Sequence, residues 1–407
     1  MKILYVTGMA DPIKDLLVGK KEDEITHAFQ FFKPWHMLVQ RGHQVDFVVA
    51  SNFNEKIDIK VDWFSQDNIF ANVYDPPSEA PWYLRIFRRL RRFIKLVYYT
   101  DKAIRANRYD FVYCKAFYEG FAGNLVANYH GIPCGMRAMG TTLNLDFDKY
   151  GIFLTSLKRP IEFITFKIKK DFFLMTDDGT GGDKVYEYWK PKRKKYDYLF
   201  WKTGIDFKTL DDLSVTVKKP EEPYLFFAAR IEDWKRHDRV LRILRLLHDR
   251  GLLLHLYFAG SNQFKAHYNH LIKMVEDLGL QDFVHFMGPI KQDDLRFMAY
   301  HAVANPFMYD ISNLSNVFCE IFSLGAVTIG INDGTLDDYI QHGQTGFIVQ
   351  DEKEAANIVE AIMKGDFDVP TIRDQAVSCA REKMLGSQER FQKEVELIEK
   401  HDPRKKK

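Results

Sequence analysis

Short apolar runs rich in β-branched and aromatic residues mark the first 200 or so positions: KILYVT, VDFVVAS, FVYC and FFLMT. Longer stretches with helical spacing of their apolar residues lie between them. This alternation predicts a parallel α/β arrangement. After SVTVKKPEEP the pattern begins again, with YLFFAAR, LHLYFAG, FVHFMG, VANPF and AVTIG. The expected fold is α/β, with two doubly wound, Rossmann-like domains and a ligand cleft between them at the carboxyl ends of the strands. The polar segment from about 206 to 222, ending in KKPEEP, predicts the linker. The domains are then expected at 1–205 and 206–385. Residues 386–407 carry a helix with Phe391, Val395 and Ile398 on one face, predicted to pack back on the first domain, and a solvated basic tail, PRKKK.

Composition narrows the class. The 407 residues are 46% hydrophobic and 28% charged, which excludes a disordered or fibrous chain. A net charge of +2 argues against a nucleic-acid binder that works by bulk charge. The opening MKILYVTGMADP reaches Gly8 and Asp11 after too short an apolar run for an export signal and is expected to be a strand. No stretch of about 18 apolar residues suggests a membrane-spanning helix. Cys114, Cys134, Cys319 and Cys379 are scattered without CxxC spacing. That usage fits a cytoplasmic protein and gives no zinc site.

One junction concentrates polar chemistry. VANPFMYD reads as a strand ending near Asp310, and NVFCEIFSLG as a helix ending at Gly325. Ser312, Asn313, Leu314, Ser315 and Asn316 then form the loop entering a helix, where free backbone N–H groups and the positive end of the helix dipole suit an anion. Ser and Asn are also ordinary helix caps, which alone would explain them. Glu320 sets this loop apart. It lies about 6 Å of helical rise beyond Asn316, where a carboxylate can accept two hydrogen bonds from a ribose diol while loop amides hold phosphates.

From these residues outward the chain resembles glycosyltransferase family 4, retaining nucleotide-sugar enzymes with the two-domain GT-B fold. FWKTGIDF is similar to the family's NG(V/I)D segment, FFAARIEDWKRHD to its GR…KG phosphate-binding stretch, and HFMGPI to its FxGxV. NVFCEIFSLGAVTIGINDGTLDDYIQHGQTGFIV resembles its EA…G.PVI…GG..E…G.TGFLV. The resemblance implies that Arg230 and Lys235 face the donor diphosphate and stabilise the charge that builds on it as the glycosidic bond breaks. It implies that Glu320 holds the ribose and that Gly288, Pro289 and Ile290 read the base. UDP is the favoured carrier and GDP the second.

Departures from the family pattern fall on the sugar side. The family's first Glu, eight residues before the second, is Ser312 here; Asp310 or Asn313 is the candidate replacement. Met139 stands where many members have a His before Gly, with Arg137 as a candidate substitute, and KTG at 202–204 replaces the usual Asn before Gly. Asp177, in TDDGTGGDK, is a further candidate on the acceptor or sugar side, although a Gly-rich turn explains that stretch equally well. The implied mechanism is transfer with retention, without the carboxylate pair of glycoside hydrolases. No cofactor is expected, and no metal. Asp146 and Asp148 form a lone DxD in the first domain, read as a loop rather than a cation site.

The acceptor must come from the first domain. In 82–99, Leu84, Phe87, Leu90, Ile94 and Val97 share one helical face, with Arg85, Arg88, Arg89, Arg92 and Lys95 toward the other. Together with 157–173, this predicts contact with an anionic membrane surface, at the cytoplasmic inner face, and a lipid-linked or glycan acceptor. An ordinary core helix with solvated arginines is the alternative. A nicotinamide dehydrogenase is disfavoured because no strand is followed by G-x-G-x-x-G. A GT-B epimerase calls for paired acid and base carboxylates. A catalytically silent GT-B partner subunit is the serious rival, given Ser312 and Met139.

Overall fold

The computed structural model describes residues 1–8, 18–19, 33–50, 60, 69–72, 82–262 and 264–406, and the chain divides into two compact units. The first comprises Met1–Lys202 with Ser387–Lys407, the second Thr203–Gly386.

In the first unit, β1 (Lys2–Gly8), β2 (Gln44–Ala50), β3 (Ile69–Asn72), β4 (Phe111–Lys115), β5 (Cys134–Ala138), β6 (Phe172–Asp177) and β7 (Asp197–Lys202) make one sheet. Their order is β3-β2-β1-β4-β5-β6-β7, and every neighbouring pair is parallel. The helices are α1 (Lys33–Gln40), α2 (Trp82–Ala106), α3 (Phe117–Tyr129), α4 (Leu143–Lys158), α5 (Pro160–Lys167) and α6 (Gly182–Trp189). Successive strand residues point to opposite faces. Leu4, Val6, Val112 and Cys114 therefore build one core with Leu96, Ala103 and Ala122 of α2 and α3. Ile3, Tyr5, Phe111 and Tyr113 build the other with Trp35 and Leu38 of α1.

The second unit repeats the plan. Its strands are β8 (Gly204–Ile205), β9 (Tyr224–Ala228), β10 (His255–Ala259), β11 (Val284–Gly288), β12 (Asn305–Phe307), β13 (Thr328–Ile331), β14 (Phe347–Val349) and β15 (Leu385–Gly386). Parallel ladders β11-β10-β9 and β12-β13-β14 meet where Val303 N donates to Tyr224 O at 2.9 Å. Strand order reverses between β9 and β12, which makes their carboxyl ends a switch point, the usual ligand position in such sheets. Around the sheet lie α7 (His237–Asp249), α8 (Lys265–Asp277), α9 (Gln292–His301), α10 (Asn316–Ser323), α11 (Glu352–Lys364) and α12 (Val369–Lys383). The short β15 pairs with β8.

The last helix, α13 (Ser387–Glu399), belongs to the first unit, as its apolar face predicted. Phe391, Val395 and Ile398 are fully buried, but so are Arg390 and Glu394 on the same side. Glu394 accepts hydrogen bonds from Tyr113 Oη at 2.6 Å, Arg137 Nη1 at 2.8 Å and Arg390 Nη1 at 3.0 Å. This corrects the expectation for Arg137. At 2% exposure, its guanidinium is a buried partner of α13 rather than a substitute sugar ligand.

Three further expectations change. The segment expected as a linker is pinned to the second unit: Asp294 accepts from Thr216 N and Oγ1 and from Val217 N, while Asp293 accepts from Ser214 N and Lys208 Nζ. Asp146 and Asp148 sit in the first two turns of α4, not in a loop, and Asp146 pairs with Arg159 at 2.8 Å. Among the described residues no group of three His, Cys, Asp or Glu side chains is placed to hold a metal ion. In α2, Phe93, Leu96 and Val97 pack in the core, whereas Leu90 and Ile94, expected on the same face as Val97, are 54% and 57% exposed. The side chains of Leu84, Arg85, Phe87, Arg88 and Arg89 lie outside the described residues. No described helix is long and apolar enough to cross a membrane.

Candidate functional site

At the switch point of the second unit, the loop after β9 carries Arg230 and Lys235, and the loop after β12 carries residues 308–315. The two are joined directly, since Asp310 N donates to Trp234 O at 3.0 Å. The β9 loop also needs a close neighbour without a side chain: a Cβ on Gly260 would stand 1.9 Å from the Ala229 carbonyl oxygen, so only glycine lets these backbones meet.

Each cation is braced. Arg230 is 60% exposed on its side chain and pairs with Glu232 at 2.6 Å. The other carboxylate oxygen of Glu232 accepts from the Trp234 indole N–H. Lys235 is only 8% exposed, its ammonium 4.0 Å from the Trp234 ring centroid and 3.8 Å from that of Tyr309. Aromatic faces attract a cation, and the two rings hold the Lys235 ammonium in place. Arg236 follows in the left-handed region, φ 53°, at the N-terminus of α7, where the family resemblance has glycine. Its guanidinium is tied to Asp238 at 3.0 Å and Asp310 at 2.8 Å, which offsets the backbone cost of roughly 1–2 kcal/mol.

The β12 loop explains itself residue by residue. Asn313 is fully buried; its Oδ1 accepts from Tyr309 N at 3.0 Å, and its Nδ2 donates to Tyr309 O at 3.0 Å and to Asp333 Oδ2 at 2.6 Å. Ser312 adopts φ 64° and is buried, as is Leu314. Ser315 caps α10, accepting from Phe318 N at 3.2 Å, and Asn316 is the first helical residue. The capping reading of Ser315 therefore holds. Two expectations fail here: Asn313 spends its polar atoms on the loop, and Asp310 is held by Arg236 and by Arg239 at 3.0 Å, so neither replaces a sugar-binding Glu at Ser312.

Glu320 lies on the second turn of α10. Its Oε1 accepts from Gln292 Nε2 at 2.6 Å, and Arg296 Nη2 stands 3.9 Å from Oε2, which accepts no hydrogen bond from a described residue. Burial pushes this carboxyl above its ordinary pKa, with Arg296 and Gln292 pulling the other way. Gln292 and Arg296, on α9, belong to no motif that the sequence offers; Arg296 is buried. Gly288, with φ 69°, ends β11 and leads into Pro289 and Ile290 beside β10.

Residues 211–366 match the model of the family described as glycosyl transferases group 1. Sucrose-phosphate synthase from Thermosynechococcus elongatus shares 14% identity over 98% of both chains, with a TM-score of 0.74. HepE of Anabaena, solved in complex with UDP and glucose, shares 14% identity over 98% of this chain and 100% of its own, with a TM-score of 0.63. The apo form of the lipopolysaccharide outer core galactosyltransferase WaaB shares 14% over 98% and 99%, at 0.57. The fold is GT-B. No curated protein sequence matches the chain.

In the first GT-B unit the remaining candidates lie near the carboxyl ends of β5 and β6. Met139 follows β5, and its sulfur is 3.8 Å from Thr176 Oγ1; Asp177 ends β6, half-buried. Its neighbour Asp178 is the better-built carboxylate. It accepts from Thr180 Oγ1 at 2.6 Å and N at 3.2 Å, a Cβ on Gly140 would strike it at 2.0 Å, and burial pushes its pKa up to about 6. The structure thus brings together Arg230, Lys235, Ser312–Asn316, Glu320 and Gly288–Ile290 within the second unit, and Met139 and Asp177 within the first. Arg137, within the first unit, is turned to Glu394 of α13 instead.

Proposed function

We propose that this chain is a retaining, metal-independent glycosyltransferase of family 4. Its donor is a nucleoside-diphosphate sugar, UDP-linked by preference, and its acceptor a hydroxyl of a lipid-linked or surface-polysaccharide molecule at the inner face of the membrane. The observation that carries the reading is one constellation at the switch point of the second unit: two braced cations, Arg230 and Lys235, with the capped N-terminus of α10 and Glu320 one turn further on. The structures of HepE in complex with UDP and with UDP-glucose support a uridine carrier.

In this mechanism the free amides at the start of α10 and the two cations hold the diphosphate. Glu320 takes the ribose hydroxyls through its free Oε2. The sugar C1–O bond to the diphosphate breaks with its electron pair leaving on phosphate, and Arg230 and Lys235 stabilise that growing charge. The acceptor hydroxyl attacks C1 from the same face, and its proton passes to the departing phosphate oxygen. No side chain is needed as nucleophile.

A proton NMR time course tests this directly. Purified protein is incubated with UDP-glucose, UDP-galactose, UDP-N-acetylglucosamine or GDP-mannose in excess chelator, and the first-formed sugar product is followed. Release with the donor's anomeric configuration, from one carrier class and in chelator, is the expected result. The inverted anomer, or a strict need for metal, contradicts it. Ser312, with Asp310 and Asn313 already engaged, favours one second reading, a silent partner subunit; turnover of no donor would select it.

A further inference from the structure

Apolar surface in the first unit is not confined to its cores. Leu90, Ile94 and Tyr98 form a stripe along α2 at 54–59% exposure, and Phe153 and Leu157 on α4 are 75% and 64% exposed. Large apolar side chains scattered singly on a surface are ordinary; a contiguous set is a binding site. Two of these residues, Leu90 and Leu157, line a groove of about 710 Å³ together with Phe93 of α2, Tyr118 and Phe121 of α3, and Ile161. That volume lies within the span of small-molecule sites, roughly 300–1,000 Å³. Phe93 and Phe121 stack at 4.6 Å between centroids and stiffen its wall.

The rim is cationic. Arg92 is neutralised by Glu119 at 2.7 Å, and Arg159 by Asp146 at 2.8 Å with Glu162 at 3.8 Å. Lys158 lines the groove, its ammonium 3.1 Å from the Tyr150 ring centroid, and has no carboxylate partner among the described residues. An apolar trough with one uncompensated cation, Lys158, at its edge complements an amphiphile with a hydrocarbon chain and an anionic head. The groove's α3 wall begins just after the carboxyl end of β4, the edge at which parallel sheets take their ligands. This favours a substrate's chain over a passing bilayer lipid.

We propose that this groove takes the hydrocarbon chain of the acceptor, a phosphate-bearing lipid, with Lys158 at its rim against the phosphate. The word acceptor rests on the transferase reading; the lipid site itself does not. Titration of the full chain with dodecyl phosphate, below its micelle-forming concentration, gives saturable binding. Octyl phosphate binds on the order of 100-fold more weakly, since each buried methylene contributes about a fourfold factor. Leu157→Asp, at an exposed wall position where folding is preserved, weakens dodecyl phosphate by roughly 10- to 100-fold. Lys158→Glu weakens it too, and Phe153→Ser, outside the groove lining, does not. UDP binding, measured on the same samples, stays unchanged in all three variants, so a failed lipid site and a failed donor site are told apart. Equal affinity for both chain lengths overturns the proposal. So does retention of dodecyl phosphate binding in Leu157→Asp, or binding only to phosphatidylglycerol–phosphatidylcholine vesicles with none to dodecyl phosphate.

Discussion

Lys235→Ala lowers turnover by about 100- to 1,000-fold while changing the donor KM far less. The reason lies in how the ammonium is held. Trp234 and Tyr309 fix it between two ring faces, at 4.0 and 3.8 Å, in the position from which it would meet the diphosphate charge as that charge develops. Arg230→Ala follows the same direction, because Glu232 aligns its guanidinium at 2.6 Å. Lys235→Arg does not restore the rate: a planar fork cannot occupy a slot shaped around a compact ammonium. Glu320→Gln, by contrast, acts mainly on KM, since ribose contacts are alike in ground and transition states. Steady-state kinetics with the preferred donor distinguishes these patterns. Equal losses of turnover in Lys235→Ala and Glu320→Gln at saturating donor contradict the division of roles.

Glu394→Ala destabilises the first unit by about 3–5 kcal/mol. Glu394 is the shared anion of two buried arginines, Arg137 and Arg390, and its loss leaves both guanidiniums in the core without a counter-charge. Tyr113 loses its acceptor at the same time. The melting temperature falls by roughly 6–20 °C, and limited proteolysis releases the segment from Ser387 onward first. Acid acts on the same network. Burial raises the pKa of Glu394, but Arg137 and Arg390 more than offset this and hold it below the usual carboxylate value. The network's stabilisation is therefore present above the unfolded value and is lost as pH falls through the lowered one, a decline that Glu394→Gln lacks. A fall in melting temperature under about 2 °C for Glu394→Ala contradicts the account of α13.

Much of this architecture was legible from pattern alone. Nine of the observed strands coincide with apolar runs read from the chain, because strands buried on both faces of a parallel sheet are nearly continuous in apolar residues. The ones missed have specific causes. β5, CGMRA, hides its strand character behind a glycine and an arginine whose charge is met by Glu394 of α13, far along the chain. β7, DYLFWK, is an edge strand with half-exposed side chains.

The polar stretch at 206–222 looked like a linker since its partners, Asp293 and Asp294, are some 80 residues distant. Composition cannot show that long-range backbone bonds tie a polar segment down. At the site, local chemistry was readable and tertiary choice was not. Ser315 as a cap follows from its position before α10. That Asn313 would bond Tyr309 and Asp333, and that Arg236 would take Asp310, depended on how two loops meet. The apolar residues of α2 exceed what one core-facing stripe needs, and the surplus at Leu90 and Ile94 is the part that stayed outside.

The central claim is that the second unit binds a nucleoside diphosphate through its own side chains, and a thermal-shift titration tests it most directly. UDP, GDP, ADP and TDP are each added to the purified chain, with magnesium and with chelator. At a hundredfold excess over Kd, a ligand of the native state contributes about 2.7 kcal/mol, which raises the melting temperature by a few degrees. The account predicts such a rise with UDP, unchanged by chelator and weakened roughly tenfold in affinity by Glu320→Gln. No rise with any of the four, or a rise that Glu320→Gln leaves untouched, would contradict it.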